Sequence, residues 1–363
     1  MKLFKSLLVA PATLGLLAPM SASANEVTIN DFNAAEEIAV TNSRVDGLEA
    51  RFNDLEAGSF SETTTASFGV DFLVGAVDGT TNEKTTFDYQ MGIGLETSFT
   101  GEDALSATID IGNASSFIGG TDGLNFDGTS DALKLDGLTY TFPVGGATVM
   151  VGDNTDISAV YTGACAYSSF TDYMGNCGTG NSVGIGGKGV TAAASYAFDS
   201  GFSLAGGISA TQITDATPGV VTGLLTEEGT DTYGIEAAYT ADSYGVSVAY
   251  SDNESSTFWG INGMYAFDFA TLSVGIESED TGSTTKEGYF VGLSFPEVGV
   301  GSFDIGMGTT GNFADSETET YIYEASYAYP INDGMTITPG IYMREVDGAD
   351  DQTGFAVKTS FSF

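Results

Sequence analysis

The sequence predicts an all-β protein: a sixteen-stranded antiparallel transmembrane β-barrel, preceded by a short coiled-coil helix. Three observations carry that expectation. The chain holds a long series of alternating segments, tight and long connections take turns between them, and aromatic residues recur at one end of the returning segments.

Beyond Phe60 the period-two segments lie near 65–76, 86–99, 104–111, 132–142, 146–152, 188–198, 201–213, 231–240, 243–251, 256–267, 270–279, 286–296, 301–310, 318–329, 333–345 and 353–363. Each is apolar on one parity and small or polar on the other, the signature of a strand with two unlike faces. In "FDYQMGIGLETSF", Phe87, Tyr89, Met91, Ile93, Leu95 and Phe99 share one side, and Asp88, Gln90 and Glu96 the other. A soluble sandwich alternates with its apolar faces turned inward, whereas a membrane barrel turns them out to lipid and lines its lumen with the polar face.

Connection length separates the two. Every second connection is tight (199–200, 241–242, 268–269, 330–332), while the longest of the others runs from 153 to 187. Outer-membrane barrels have this asymmetry, with short periplasmic turns and long outer loops. Aromatic placement agrees: Phe99, Phe142, Phe198, Tyr239, Phe267, Phe295, Tyr329 and Phe363 end the even-numbered segments, beside Phe202 and Tyr244 at the starts of returning ones. Rings of this kind favour a membrane interface. The last segment, "GFAVKTSFSF", ends in a strand pattern and a phenylalanine, which resembles the assembly signal of outer-membrane barrels. An even strand count places both ends of the barrel on one side, and sixteen strands, give or take two, leave an aqueous lumen.

The front of the chain is read separately. Lys2 and Lys5, the apolar run Leu7–Leu17 and Ala22-Ser23-Ala24 form a secretory signal peptide over residues 1–24. Residues 25–58 are then a periplasmic segment carrying the helix, and 59–363 the barrel. With 49 acidic against 10 basic residues the formal net charge is −39. That excludes nucleic acid and anionic headgroups as partners, which need a basic face. The absence of histidine removes the usual general base and the commonest metal ligand, so no enzyme is expected. Cys165 and Cys177, in an exported chain, are expected to form one local disulfide.

The segments "MKLFKSLLVAPATLGLLAP", "RVDGLEAR", "LTYTFPVGGATVMVG" and the terminal "FSF" resemble the cyanobacterial major outer-membrane porins, grouped with OprB-like carbohydrate-selective and iron-uptake porins. The resemblance implies a trimeric outer-membrane channel that passes small solutes and ions, sugars among them, by diffusion. Such proteins usually carry an S-layer-homology domain before the helix. Here only "NEVTINDFNAAEEIAVTNSR" fills that space, so anchoring to the cell wall is not expected.

The resemblance also implies that the third outer loop, 153–187, folds into the channel. Asp153, Asp156, Tyr161, Tyr167, Asp172 and Tyr173 are its candidates for the narrowest ring. On the lumen parity of the strands fall Asp71, Asp88, Glu96, Asp110, Glu236, Glu277, Asp304 and Glu324, with Arg344 and Lys358 the clear basic residues there. Lys134 is ambiguous, because its segment has apolar residues on both parities. Carboxylate rings favour cations, so a cation-preferring pore is expected. The acidic loop stretches at Asp122, Asp127 and Asp131 and at Asp347, Asp350 and Asp351 could hold Ca²⁺ through oxygen ligands, yet neither has an established calcium-loop spacing; no cofactor is expected.

In the N-terminal helix, Ile38, Val45 and Phe52 take heptad position a, and Thr41, Leu48 and Leu55 position d. The tandem Arg44-Val45-x-x-Leu48-Glu49 and Arg51-Phe52-x-x-Leu55-Glu56 resembles a trimerisation signature of short coiled coils, so a homotrimer in the outer-membrane lipid is expected. The competing reading is a secreted or surface β-rich binding protein without a pore, which would be soluble without detergent.

Overall fold

The computed structural model of the chain describes residues 64–363, apart from 81–82, 84, 115–125, 127, 184–188, 211–223 and 226–229. The signal peptide, the heptad residues from Ile38 to Glu56, and Asp122 and Asp127 lie outside the described residues.

Sixteen strands follow one another: β1 (Thr64–Asp78), β2 (Thr85–Thr97), β3 (Ala104–Gly112), β4 (Lys134–Val144), β5 (Ala147–Thr155), β6 (Gly189–Ala197), β7 (Phe202–Ala210) and β8 (Asp231–Thr240), then β9 (Tyr244–Asp252), β10 (Thr257–Ala266), β11 (Thr271–Asp280), β12 (Thr285–Val298), β13 (Gly301–Thr309), β14 (Tyr321–Asn332), β15 (Met335–Arg344) and β16 (Gln352–Ser362). Each pairs antiparallel with the next, and β16 returns to β1 from Gly69↔Ser362 to Asp78↔Thr353, so the barrel is closed. The ends of the seam are tied by Phe68 N–H donating to Phe363 O (2.9 Å) and Phe363 N–H donating to Phe68 O (3.0 Å). Closure leaves no edge whose backbone groups would sit unpaired in lipid.

The alternation read from the sequence becomes the two faces of the wall. In β10, Trp259 and Ile261 are 55% and 50% exposed, while Phe258 and Asn262, on the other parity, are 6% and 3% exposed. The apolar parity therefore points outward, the reverse of a soluble sandwich. Tight and long connections alternate as expected: 145–146, 198–201, 241–243, 267–270, 299–300 and 333–334 are tight turns at one end, though 330–332 lies within β14, and the longest connection, 156–188, is at the other end.

The aromatic edge is continuous over much of its length. Phe99 and Phe142 both meet Tyr140, Tyr196 meets Phe198 and Phe202 meets Tyr239 at 4.7 Å, and Tyr239 leads on to Tyr244. Phe267, Phe269, Phe295 and Phe303 form a chain of contacts, Tyr329 meets Tyr327, and Phe363 stacks on Phe68. Contacts at the opposite edge, which the sequence reading passed over, join Phe72 with Phe87, Tyr250 with Trp259 and Tyr289 with Tyr321.

One irregularity resolves Lys134. The β3–β4 register shifts between Thr108 and Ile109, so that Thr108 faces Gly137 but Ile109 faces Leu135. This bulge at Asp136 swaps the parity of β4 part-way along, which is why its apolar residues fall on both parities. Lys134 lies directly opposite Asp110 and so belongs to the lumen face.

Candidate pore constriction

The loop after β5 begins at two adjoining irregularities. The β5–β6 register shifts between Gly152 and Thr155, and Asn154 takes a left-handed backbone (φ 56°), a conformation asparagine tolerates. Its side-chain amide donates to the carbonyls of Leu135 (2.7 Å) and Asp136 (2.9 Å), binding the turn to the bulge of β4. Asp156 then caps a short 3-10 helix, Ile157–Val160, by accepting from Ser158 N–H at 2.7 Å and from the Ser158 hydroxyl. Ile157 packs with Met150 and Ala193 on the inner wall, turning the chain into the lumen.

From there the loop is fastened to the wall by three glutamates. Glu236 on β8 accepts the backbone N–H groups of Thr162 (2.7 Å) and Gly163 (2.9 Å), one at each carboxylate oxygen. Glu324 on β14 accepts four donors: Tyr167 OH (3.0 Å) and Phe170 N–H (2.7 Å) at one oxygen, Thr171 N–H (2.8 Å) and Oγ1 (2.6 Å) at the other. Glu277 on β11 accepts Ser182 N–H (2.7 Å) and the side-chain amides of Asn181 (2.8 Å) and Asn312 (3.0 Å). Further ties join Thr162 to Ser203, Ala166 N–H to Ser273, and Thr179 to Asn262. The Cys165–Cys177 disulfide forms as expected, with Cα atoms 5.8 Å apart, and closes the part of the loop held by Glu324.

This geometry sorts the expected constriction residues. Asp172 is exposed, and Tyr173 is half-buried with the Arg344 guanidinium 4.8 Å from its ring centre. Of the other four, Asp153, Tyr161 and Tyr167 are corrections, while Asp156 stays in the loop. Asp153 belongs to β5, pairs with Leu138 and shares the outward parity of Val149 and Val151, so it is not in the loop. Asp156 is a helix cap. Tyr161 and Tyr167 face the wall instead of the channel, Tyr167 packing on Phe290 with ring centres 4.9 Å apart. Burial pushes both phenols above their ordinary ionisation range, so they remain neutral hydroxyls.

The lumen-parity acids divide as well. Glu236, Glu277 and Glu324 are on the expected face but are at most 3% exposed beneath the loop, so they are anchors and not open channel charges. Asp304 is buried and accepts from Ser294 Oγ at 2.5 Å, and Asp88 is buried near Thr86. Asp71 accepts from Gln90 at 2.8 Å and is half-exposed, as are Asp110, Arg344 and Lys358; Glu96 is exposed. The register places Glu96 between Thr65 and Ser106, and Asp110 beside Gly92, so β1 to β3 carry a polar, acidic wall. Of the acidic outer-loop residues, Asp131 accepts from Tyr89 OH at 2.6 Å, and Asp347, Asp350 and Asp351 lie in the β15–β16 connection. Among the described residues no group of three acidic or cysteine side chains is arranged to hold a metal ion.

Sequence reasoning missed the surface on which the loop rests. A methyl group at Gly275 on β11 would lie 1.9 Å from the Cys177 carbonyl oxygen, and one at Gly260 on β10 would lie 1.9 Å from Ser182 Oγ. Both positions are on the lumen parity, and glycine there lets the loop lie against bare backbone. Small residues on one parity of neighbouring strands were the available signal.

The closed sixteen-stranded barrel is shared with known structures. The fold is that of the porins. OprB of Pseudomonas putida, in its high-pH structure, matches with a TM-score of 0.65 at 11% identity, over 83% of this chain and 94% of that one. An anion-selective porin from Comamonas acidovorans matches at 0.61 with 15% identity, over 83% and 99%. A mutant of the Rh. blastica porin matches at 0.55 with 16% identity, over 83% and 100%. No family model matches the chain. An uncharacterized protein of Nostoc sp. strain PCC 7120 is 39% identical over 114 residues. That match covers 30% of this chain and 19% of the longer relative.

Proposed function

We propose that this porin-fold barrel is an outer-membrane diffusion channel for small solutes and inorganic ions, with a preference for cations. The observation that carries the proposal is the closed wall, apolar outside and polar inside, with a loop fixed across part of its lumen. A wall of this polarity suits lipid on one side and water on the other, and a partly filled lumen suits passage limited by size. The cyanobacterial, OprB-like assignment is supported by the resemblance in the signal peptide, helix and β4–β5 hairpin, and by the stretch shared with the Nostoc protein. A trimer held partly by the heptad segment, with that segment in the periplasm, belongs to the same reading.

Cation preference follows from the carboxylates still reaching the lumen. Asp71, Glu96 and Asp110 line β1 to β3, and Asp172 is exposed on the loop, against Lys134, Lys358 and the Tyr173-stacked Arg344. Charges this close to a narrow path act within the screening length of about 10 Å at 0.1 M salt. The reversal potential under a salt gradient tests the preference. Cation selectivity is expected in the wild type, and it should weaken in Asp71→Asn/Glu96→Gln/Asp110→Asn; an anion-selective wild type would refute it.

A further inference from the structure

We propose that Glu236, Glu277 and Glu324 form a latch that sets the width of the pore, while its ion preference is carried by the separate carboxylates of the β1–β3 wall. The inference rests on the channel reading above and assigns two roles that a count of lumen acids would merge.

The three anchors stand on every third strand, β8, β11 and β14, and each holds a different part of the loop: Thr162–Gly163, Asn181–Ser182 and Tyr167–Thr171. Every partner of these carboxylates is a donor, five of them backbone N–H groups. An ionised carboxylate offers only acceptors and matches such a set, whereas glutamine must turn an NH₂ towards one of the donors. Hydrogen bonds to a charged group each carry at least a tenfold step in an equilibrium, so losing one shifts the docked-to-released ratio of the loop by roughly tenfold or more. The contacts at Gly275 and Gly260 make the docked position specific in shape as well as in charge. Two acids of the other wall differ: among the described residues Glu96 is exposed with no bond to the loop, and Asp71 is held by Gln90 on the adjacent strand.

Two substitutions reach the latch by independent routes. Glu236→Gln/Glu324→Gln removes acceptors, and Gly275→Ala pushes the loop off β11 while keeping every carboxylate. Liposome swelling with a size series of sugars, alongside the reversal potential, reads both roles in reconstituted full-length protein. Both latch variants are expected to admit sugars that the wild type excludes and to stay cation-selective. The wall variant Glu96→Gln/Asp110→Asn is expected to keep the wild-type size limit and show weaker cation selectivity. An unchanged size limit in the latch variants, with heat-modifiable gel mobility showing a folded barrel, overturns the proposal. So does a loss of selectivity in Glu236→Gln/Glu324→Gln as large as that of the wall variant. Should the double variant not reach the folded form, Gly275→Ala decides by itself. A wild type that passes neither ions nor sugars would instead defeat the channel reading, a different failure.

Discussion

Glu96 and Glu324 are the same residue type on the same parity of their strands, yet one stands open in the lumen and the other is buried under four hydrogen bonds. What separates them is which stretch of wall the third loop covers. Asp103 is a third case, in the turn between β2 and β3. One of its oxygens accepts from Ser98, Phe99 and Thr100, and the other accepts from Tyr140 OH at 2.7 Å. The Tyr140 phenol, with the turn's own donors, holds this carboxyl below the usual aspartate range. A depressed folded-state pKa stabilises the protein above the unfolded value and ceases to do so as pH falls through the folded one. Asp103→Asn should thus lower the temperature at which the folded band is lost at pH 7, and its gap from wild type should shrink below about pH 4. A gap constant from pH 7 to pH 3 would contradict the ionised turn.

At the scale of elements, all sixteen strands and, except in β4, the side to which each face points were legible, because period-two alternation is local and each strand carries its own copy. The third loop was legible in length and disulfide but not in landing place. Its anchors are mostly backbone N–H groups such as those of Thr162 and Ser182, which leave no mark on residue choice. Hence Tyr161 and Tyr167 read as channel-facing residues when they are loop residues that face the wall. The bulge at Asp136 was likewise visible only as an ambiguity, since one extra residue swaps parity without changing composition. The barrel seam yields a prediction of its own. Phe363→Ala keeps the backbone pair with Phe68 but removes a ring stacked at 5.7 Å, a contact worth about 1 kcal/mol beyond its area. The folded band should survive at a lower melting temperature; an unchanged one would show that the seam does not depend on that ring.

For the whole molecule, the acidity that looked diffuse in the composition has a distribution. Three glutamates are spent on holding a loop, while Asp71, Glu96 and Asp110 remain along one wall. On the reading proposed above, the segment before the barrel would add association. Glu or Lys in place of Leu48 and Leu55, the d positions of the heptad, should loosen a trimer in detergent while leaving conductance per barrel intact, with protomers held side by side raising the effective concentration of so short a helix. Trimer stability unchanged by both substitutions would remove the helix from the assembly. The account as a whole stands on a water-filled path through the barrel. Single-channel recording of the purified wild type in a planar bilayer tests it most directly: discrete, ohmic current steps that reverse at a cation-selective potential are expected, and a folded, inserted barrel that passes no current would contradict it.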